Sequence, residues 1–169
     1  MQENHQRQQY WFDFPTLRRL SELVQQYDQP VTLCCPMVGQ FMANNGQKPP
    51  LVLDLDGRFD DDWFRLWDLH RPEPLEFKPD LVVMDPPFSN IKLDRLWKAM
   101  RVLVQGDFST PLVVVWPKYN EGALLGTFTA YGLQPTGINP GYVSCEPHAQ
   151  FYANFDLRAA LGEDKQPNG

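Results

Sequence analysis

An α/β fold, one sheet of mostly parallel strands with helices on both faces, is predicted by three observations. Short continuous apolar runs recur at Val31 to Cys35, Leu51 to Leu55, Leu81 to Met84 and Leu112 to Trp116. Segments of helical periodicity separate several of them. No run shows the strict alternation of a sheet with one wet face until the last, Phe151, Ala153 and Phe155. Strands without alternation are covered on both faces, and strands that alternate with helices pair in parallel through right-handed connections.

The elements follow in order. Tyr10, Trp11, Phe12 and Phe14 form an aromatic entry, and Pro15 then precedes Leu17, Leu20, Leu23 and Val24 at helical spacing. Val31 to Cys35, bounded by Pro30 and Pro36, reads as a first buried strand, followed by a short helix from Val38 to Asn44. Asn45, Gly46, Pro49 and Pro50 break the chain before the second strand, Leu51 to Leu55, which runs into acids at Asp54 and Asp56. Trp63 to Trp67 is a third strand and Leu81 to Met84 a fourth. Ser89 or Asn90 is suited to cap a helix carrying Leu93, Leu96, Trp97, Met100, Leu103 and Val104 on one face. Pro111 introduces the fifth strand, a helix spans about Glu121 to Tyr131, and a Gly/Pro-rich turn region leads to an antiparallel last strand.

The chain of 169 residues suits a single domain. Residues 1–8 read as a flexible lead, 9–161 as the folded domain and 162–169 as a frayed tail. With 43% hydrophobic and 21% charged residues it is globular, and no apolar run reaches the roughly 18 residues of a membrane span. The polar start has no signal-peptide core, so a cytoplasmic or nuclear protein is expected. Three cysteines, two of them adjacent, fit neither a disulfide framework nor zinc, and His5, His70 and His148 share no ligand spacing, so no metal is expected. A net charge of -6 argues against a naked nucleic-acid binder, although Arg18, Arg19, Lys92, Arg95, Lys98 and Arg101 are sufficient for a local basic patch.

The strongest chemical signal is Asp85-Pro86-Pro87-Phe88 at the end of the fourth strand, because ligands of open α/β sheets bind beyond the carboxyl ends of the strands. Two prolines stiffen the turn and remove two donors. The Asp85 carboxylate and the Pro86 carbonyl then act as acceptors converging on one spot, which suits an amine with two hydrogens. Phe88 adds a flat face for stacking or a cation-π contact.

That motif after an apolar strand resembles the amino-methyltransferases. Together with Gln9-Tyr10-Trp11-Phe12, Leu33-Cys34-Cys35-Pro36 and Leu53-Asp54-Leu55-Asp56-Gly57-Arg58-Phe59, it resembles the N6-adenine methyltransferase-like family across Gln9 to Asp156. That family includes lysine methyltransferases of elongation factor 1A and a zinc-finger ribosomal-RNA adenine methyltransferase. The resemblance implies a Rossmann-like seven-strand methyltransferase sheet and S-adenosyl-L-methionine as cofactor, lying across the ends of the first two strands. It implies an amine substrate at Asp85, Pro86, Pro87 and Phe88. A protein lysine, on a partner such as an elongation factor, is preferred for the acidic chain; single-stranded or flipped adenine in a nucleic acid is the alternative.

For the cofactor, Asp54 or Asp56 suits the ribose hydroxyls, with Asp54 favoured, and Asp68 suits the adenine amine. Cys35, Pro36 and Met37 stand where most methyltransferases carry a glycine-rich loop, and Gly39 is the one glycine nearby. Tyr10 and Trp11 are expected to close over cofactor or substrate. Two other readings compete. A non-catalytic scaffold of the same fold is suggested by the missing glycine loop. A haloacid-dehalogenase-type phosphatase is suggested by Asp54-Leu55-Asp56-Gly57, but Arg58 is out of pattern and no late strand ends in a pair of acids to hold magnesium. The same acids lack the spacing of an EF-hand.

Overall fold

The computed structural model describes residues 2–7, 9–145 and 148–163, without the Arg7 side chain. Its strands are β1 (Pro30–Leu33), β2 (Leu51–Asp54), β3 (Phe64–Leu66), β4 (Leu81–Met84), β5 (Leu112–Pro117), β6 (Gln134–Pro135) and β7 (Ala149–Ala153). The helices are α1 (Phe14–Val24), α2 (Pro36–Asn44), α3 (Leu93–Leu103), α4 (Glu121–Thr127) and α5 (Leu157–Ala160). One seven-stranded sheet has the order β3-β2-β1-β4-β5-β7-β6. β1 pairs in parallel with both β2 and β4, and only β7 runs antiparallel, against β5 and β6.

The absence of alternation in the inner strands has the expected cause. In β4, Val82 and Met84 join Leu96, Met100 and Leu103 of α3, whereas Leu81 and Val83 face Leu20, Leu23 and Val24 of α1 together with Val38 and Met42 of α2. Each such fully buried side chain contributes roughly 1.5–3 kcal/mol. β7 is likewise buried along its whole length, so its alternation in sequence does not mark a wet face. Phe155 lies beyond that strand and packs only at the margin of the α1 layer.

Asp13 caps α1, accepting the Thr16 N–H at 3.0 Å, and Pro15 occupies its first turn. The expected cap of α3 at Ser89 or Asn90 is not formed. Asn90 and Ile91 instead donate their N–H groups to the Pro87 carbonyl at 2.8 and 3.1 Å, and this turn delays the helix until Lys92 takes the cap position. The helix expected to reach Tyr131 breaks at Thr127 and continues as a 3₁₀ turn, Thr129–Tyr131, closed by Gly132 at φ 67°. β6, two exposed residues in the presumed turn region, was not anticipated.

Asn4 bridges Gln9, and Glu3 accepts the Trp11 N–H at 2.8 Å, which folds this segment back over the aromatic entry. At the other end Glu163 pairs with Arg19 and Arg158, while residues 164–169 of the expected tail lie outside the described residues.

Gly39 shows how closely α2 lies on the sheet. A Cβ there would come within 2.6 Å of the Trp63 ring and 2.7 Å of Val52 Cγ2. Gly39→Ala is therefore expected to destabilise by about 1–3 kcal/mol despite the better helix propensity of alanine, because neither neighbour is a flexible side-chain end. Urea unfolding of the two proteins checks this.

Candidate active site

The strand order reverses direction between β1 and β4, and the crevice at their carboxyl ends is the expected ligand site of an open α/β sheet. Two ladder bonds set it. Asp85 N–H donates to the Leu33 carbonyl at 3.1 Å, and Cys34 N–H to the Leu53 carbonyl at 2.9 Å. The ends of β1, β2 and β4 thereby deliver Cys34, Asp54 and Asp85 side by side. All three line a cavity of about 400 Å³ whose apolar wall is Trp67, Leu69 and Ile91, and which Gln6 and Gln9 border.

A second cavity, of about 270 Å³, lies on the other side of Asp85. Pro86, Phe88, Tyr10, Tyr119 and Tyr142 wall it, with Cys145 and His148 from the loop before β7. Asp85 lines both spaces, with Pro87 on the first side and Pro86 and Phe88 on the second. The motif thus forms the partition between two cavities. Phe88 is held by an edge contact with Trp116 at 6.2 Å between centroids.

The electrostatics follow from burial. The Asp85 carboxyl, with desolvation as the main cause and only the Tyr142 hydroxyl opposing it, is pushed up to about 8. Burial and the neighbouring carboxylates of Asp54 and Asp85 push the Cys34 thiol well above its usual range, and that of Cys35 rises in the same way, so both stay neutral. Asp56 is the opposite case. Three bonds from the Arg58 guanidinium at 2.6–3.0 Å and one from Gln9 Nε2 at 2.8 Å hold it down to about 2.

Of the two acids at the end of β2, Asp54 lines the cavity and accepts the Asp56 N–H at 2.8 Å. Asp56 is buried against Arg58 and takes no part in the lining. Cys35 and Pro36 do not line it either. The Cys35 thiol donates to the Leu33 carbonyl at 3.3 Å, and Pro36 opens α2. The lining residue is Cys34, which sits at φ 60° where a glycine would be unstrained. That left-handed residue makes the sharp strand-to-helix turn that a glycine-rich loop makes elsewhere.

Asp68 spends one oxygen on the His70 N–H at 2.8 Å, and its neighbours Trp67, Leu69 and His70 line the cavity in its place. Tyr10 faces the second cavity, while Trp11 lines neither. Residues missed in the sequence include Gln6, Trp67, Leu69 and above all Tyr142, whose hydroxyl donates to both Asp85 oxygens at 3.3 and 3.2 Å. The one local hint was the Pro140-Gly141 pair just before it.

A family model described as "Probable N6-adenine methyltransferase" matches residues 3–157. The chain belongs to this family. Among solved structures, a TehB-like SAM-dependent methyltransferase from Corynebacterium glutamicum is similar at 15% identity and a TM-score of 0.52, over 80% of this chain and 84% of that one. At that identity the likeness speaks for the fold. No curated protein matches the chain.

The cofactor of an N6-adenine methyltransferase-family enzyme is S-adenosyl-L-methionine, and the first cavity fits it. Its volume falls in the range of small-molecule sites, it offers the Asp54 carboxylate for hydroxyl groups, and Trp67, Leu69 and Ile91 form an apolar wall for a flat ring. Among the described residues no group of three or more His, Cys, Asp or Glu is arranged to hold a metal ion, and no helix is long and apolar enough to cross a membrane.

Proposed function

We propose that the protein is an N-methyltransferase whose substrate is the side-chain amine of a protein lysine, as on an elongation-factor-like partner, entering through the second cavity. The observation that carries this reading is the position of Asp85, among the described residues the single carboxyl common to both cavities. S-adenosyl-L-methionine, when bound, supplies an electrophilic methyl group on its sulfonium. Asp54 would hold the ribose hydroxyls, with Trp67, Leu69 and Cys34 around it.

The remaining work falls to the partition. The Asp85 carboxyl and the Pro86 carbonyl accept hydrogens from the amine and so orient its lone pair toward the first cavity, and positioning of this kind can account for most of the rate. An ammonium must first lose a proton. The ring-lined cavity disfavours the cation by desolvation, while burial gives Asp85 a far higher proton affinity than an ordinary carboxylate, up to about 8. Both changes narrow the gap across which that proton must move. Asp85 is then the catalytic acceptor, and Phe88 and Tyr10 are the walls that exclude water. The described lining of this cavity includes neither lysine nor arginine, which suits a basic peptide better than a phosphate backbone.

A second reading, transfer to adenine N6 in RNA or DNA, is favoured by the description of the family and by the flat face of Phe88. The base would then be unpaired or flipped, stacked in the second cavity with its amine on Asp85 and Pro86.

Radiolabelled methyl transfer into a cell extract, with the product divided between protease and nuclease, separates the two. Label released by protease and absent with Asp85→Ala is the expected result; label released by nuclease would establish the adenine reading instead. No Asp85-dependent label, in an extract holding unmethylated substrate, would leave a scaffold. For the first cavity, Asp54→Ala is expected to weaken cofactor binding by about 1–3 kcal/mol, the worth of a charged hydrogen bond. Isothermal calorimetry checks it, and an unchanged affinity would remove Asp54 from the cofactor.

A further inference from the structure

We propose that Tyr142 is a positioning residue for this reaction, its hydroxyl fixing the Asp85 carboxyl so that both oxygens stay aimed between the two cavities. The inference rests on the assignment of Asp85 above and concerns a residue 57 positions away in the chain, on the loop between β6 and β7.

Three features support it. First, the phenol reaches both carboxyl oxygens, at 3.3 and 3.2 Å, and no other side chain is seen to bond them among the described residues. A two-centre contact of this kind fixes the plane of the carboxyl, which the Asp85 backbone alone does not. Second, the Tyr142 ring is itself immobilised. It packs on Phe12 at 5.2 Å between centroids, and Phe12 and Tyr142 form an antiparallel bridge flanked by the bonds Val143 N–H to Trp11 carbonyl and Asp13 N–H to Gly141 carbonyl, each 2.9 Å. Gly141 also donates its N–H to the Thr16 hydroxyl at 2.8 Å and lies so close to the Asp13 carboxyl that a Cβ could not be accommodated. The loop is thus clamped to the cap of α1. Third, Tyr142 lines the second cavity beside Pro86 and Phe88, so its ring also limits which substrates can approach Asp85.

The surroundings make the hydroxyl matter. Cys34 and Cys35 from the end of β1 and Cys145 from the loop are thiols raised by burial and by nearby acids, and Asp54 is a like charge. His70 and His148 line the two cavities. Among the described residues only the Tyr142 hydroxyl opposes the desolvation of the Asp85 carboxyl. With burial and Asp85 both acting on it, the phenol is itself raised far above its usual range and remains a donor at every working pH.

Tyr142→Phe keeps the ring against Phe12 and removes only the hydroxyl, so the fold should survive. Carboxyl-carbon NMR on aspartate-labelled protein is expected to show Asp85 titrating about one pH unit higher in Tyr142→Phe, the equivalent of one hydrogen bond to a charged group. This measurement needs no substrate and therefore stands even if the amine is misassigned. With the methyl acceptor found by labelling, the acid limb of kcat/KM should move upward by the same amount, about tenfold in rate on that limb, while cofactor affinity is unchanged. An Asp85 titration and an acid limb both indifferent to Tyr142→Phe would overturn the proposal. A shifted titration in a protein whose wild type methylates no amine would instead sink the function proposed above and leave the contact intact.

Discussion

Asp85→Ala is expected to lower methyl transfer by about a thousandfold or more, the order of loss seen when a group that orients or stabilises the reacting centre is removed. The fold should not suffer for it. A carboxyl that titrates near 3.8 in the unfolded chain and near 8 in the folded one binds its proton more tightly when folded. Its sign is unfavourable to the native state: well below pH 3.8 both states are protonated and nothing is lost, but as pH rises the unfolded chain ionises first and is favoured. The penalty grows until about pH 8 and then levels, at several kcal/mol. Asp85→Asn, which keeps the shape and an acceptor for Tyr142, is therefore expected to be more stable than the wild type at pH 8 and nearly equal to it at pH 4. Urea unfolding at the two pH values measures the difference. Equal stability at both would mean that Asp85 is solvated well enough to ionise normally, and the account of its proton affinity would fail with it. Lost activity with gained stability is the pattern of a half-buried acid kept for chemistry.

Much of this arrangement was legible in the chain because burial writes directly on composition. Leu81 to Met84 admits only apolar residues, since both faces are covered, and its end at Asp85 is abrupt for the same reason. What could not be read was set by contacts distant in sequence or by angles. Cys34 and Cys35 are chemically equal as letters, and it is the left-handed φ of the first that turns it to the cavity and buries the second. Asp54 and Asp56, two apart, differ because the chain folds back after Leu55 and Arg58 captures only the second. β6 exists through its pairing with β7 rather than through any preference of Gln134-Pro135 for a strand. The cap of α3 was misplaced because the Pro87 carbonyl competes for the Asn90 and Ile91 N–H groups, a use of the motif that no spacing rule contains.

Arg58→Ala is expected to release the N-terminal segment from the first cavity, and the reason lies in how many ends meet at this one guanidinium. Nη1 donates to the Gln2 carbonyl at 2.9 Å, Nη2 to Gln9 Oε1 at 2.8 Å, and Nε and Nη2 to the Asp56 carboxylate. Gln9 Nε2 completes the ring on Asp56 at 2.8 Å. The segment carrying Gln6 and Gln9 is thereby tied to the loop that follows Asp54 at the end of β2, beside the first cavity. Removing the guanidinium leaves a buried carboxylate with two neutral donors, Gln9 Nε2 and the backbone N–H of residue 58. For a fully buried pair that loss is about 3–5 kcal/mol, and since the Arg58 side chain is 40% exposed a smaller cost of about 1–3 kcal/mol is expected. The pH dependence identifies the source. Asp56 is held at about 2, so its contribution is present above the ordinary carboxyl value of 3.8 and is lost as pH falls toward 2. In Arg58→Ala that acid-side loss should largely vanish, because little stabilisation is left to lose. Hydrogen exchange should report faster exchange of the Trp11 amide, which Glu3 now shields, and cofactor affinity should fall as Gln6 and Gln9 leave the rim. If the Trp11 amide stays protected and affinity holds, the segment is anchored by its contacts with Glu3 and Tyr10, and the ion pair at Arg58 serves only the loop it closes.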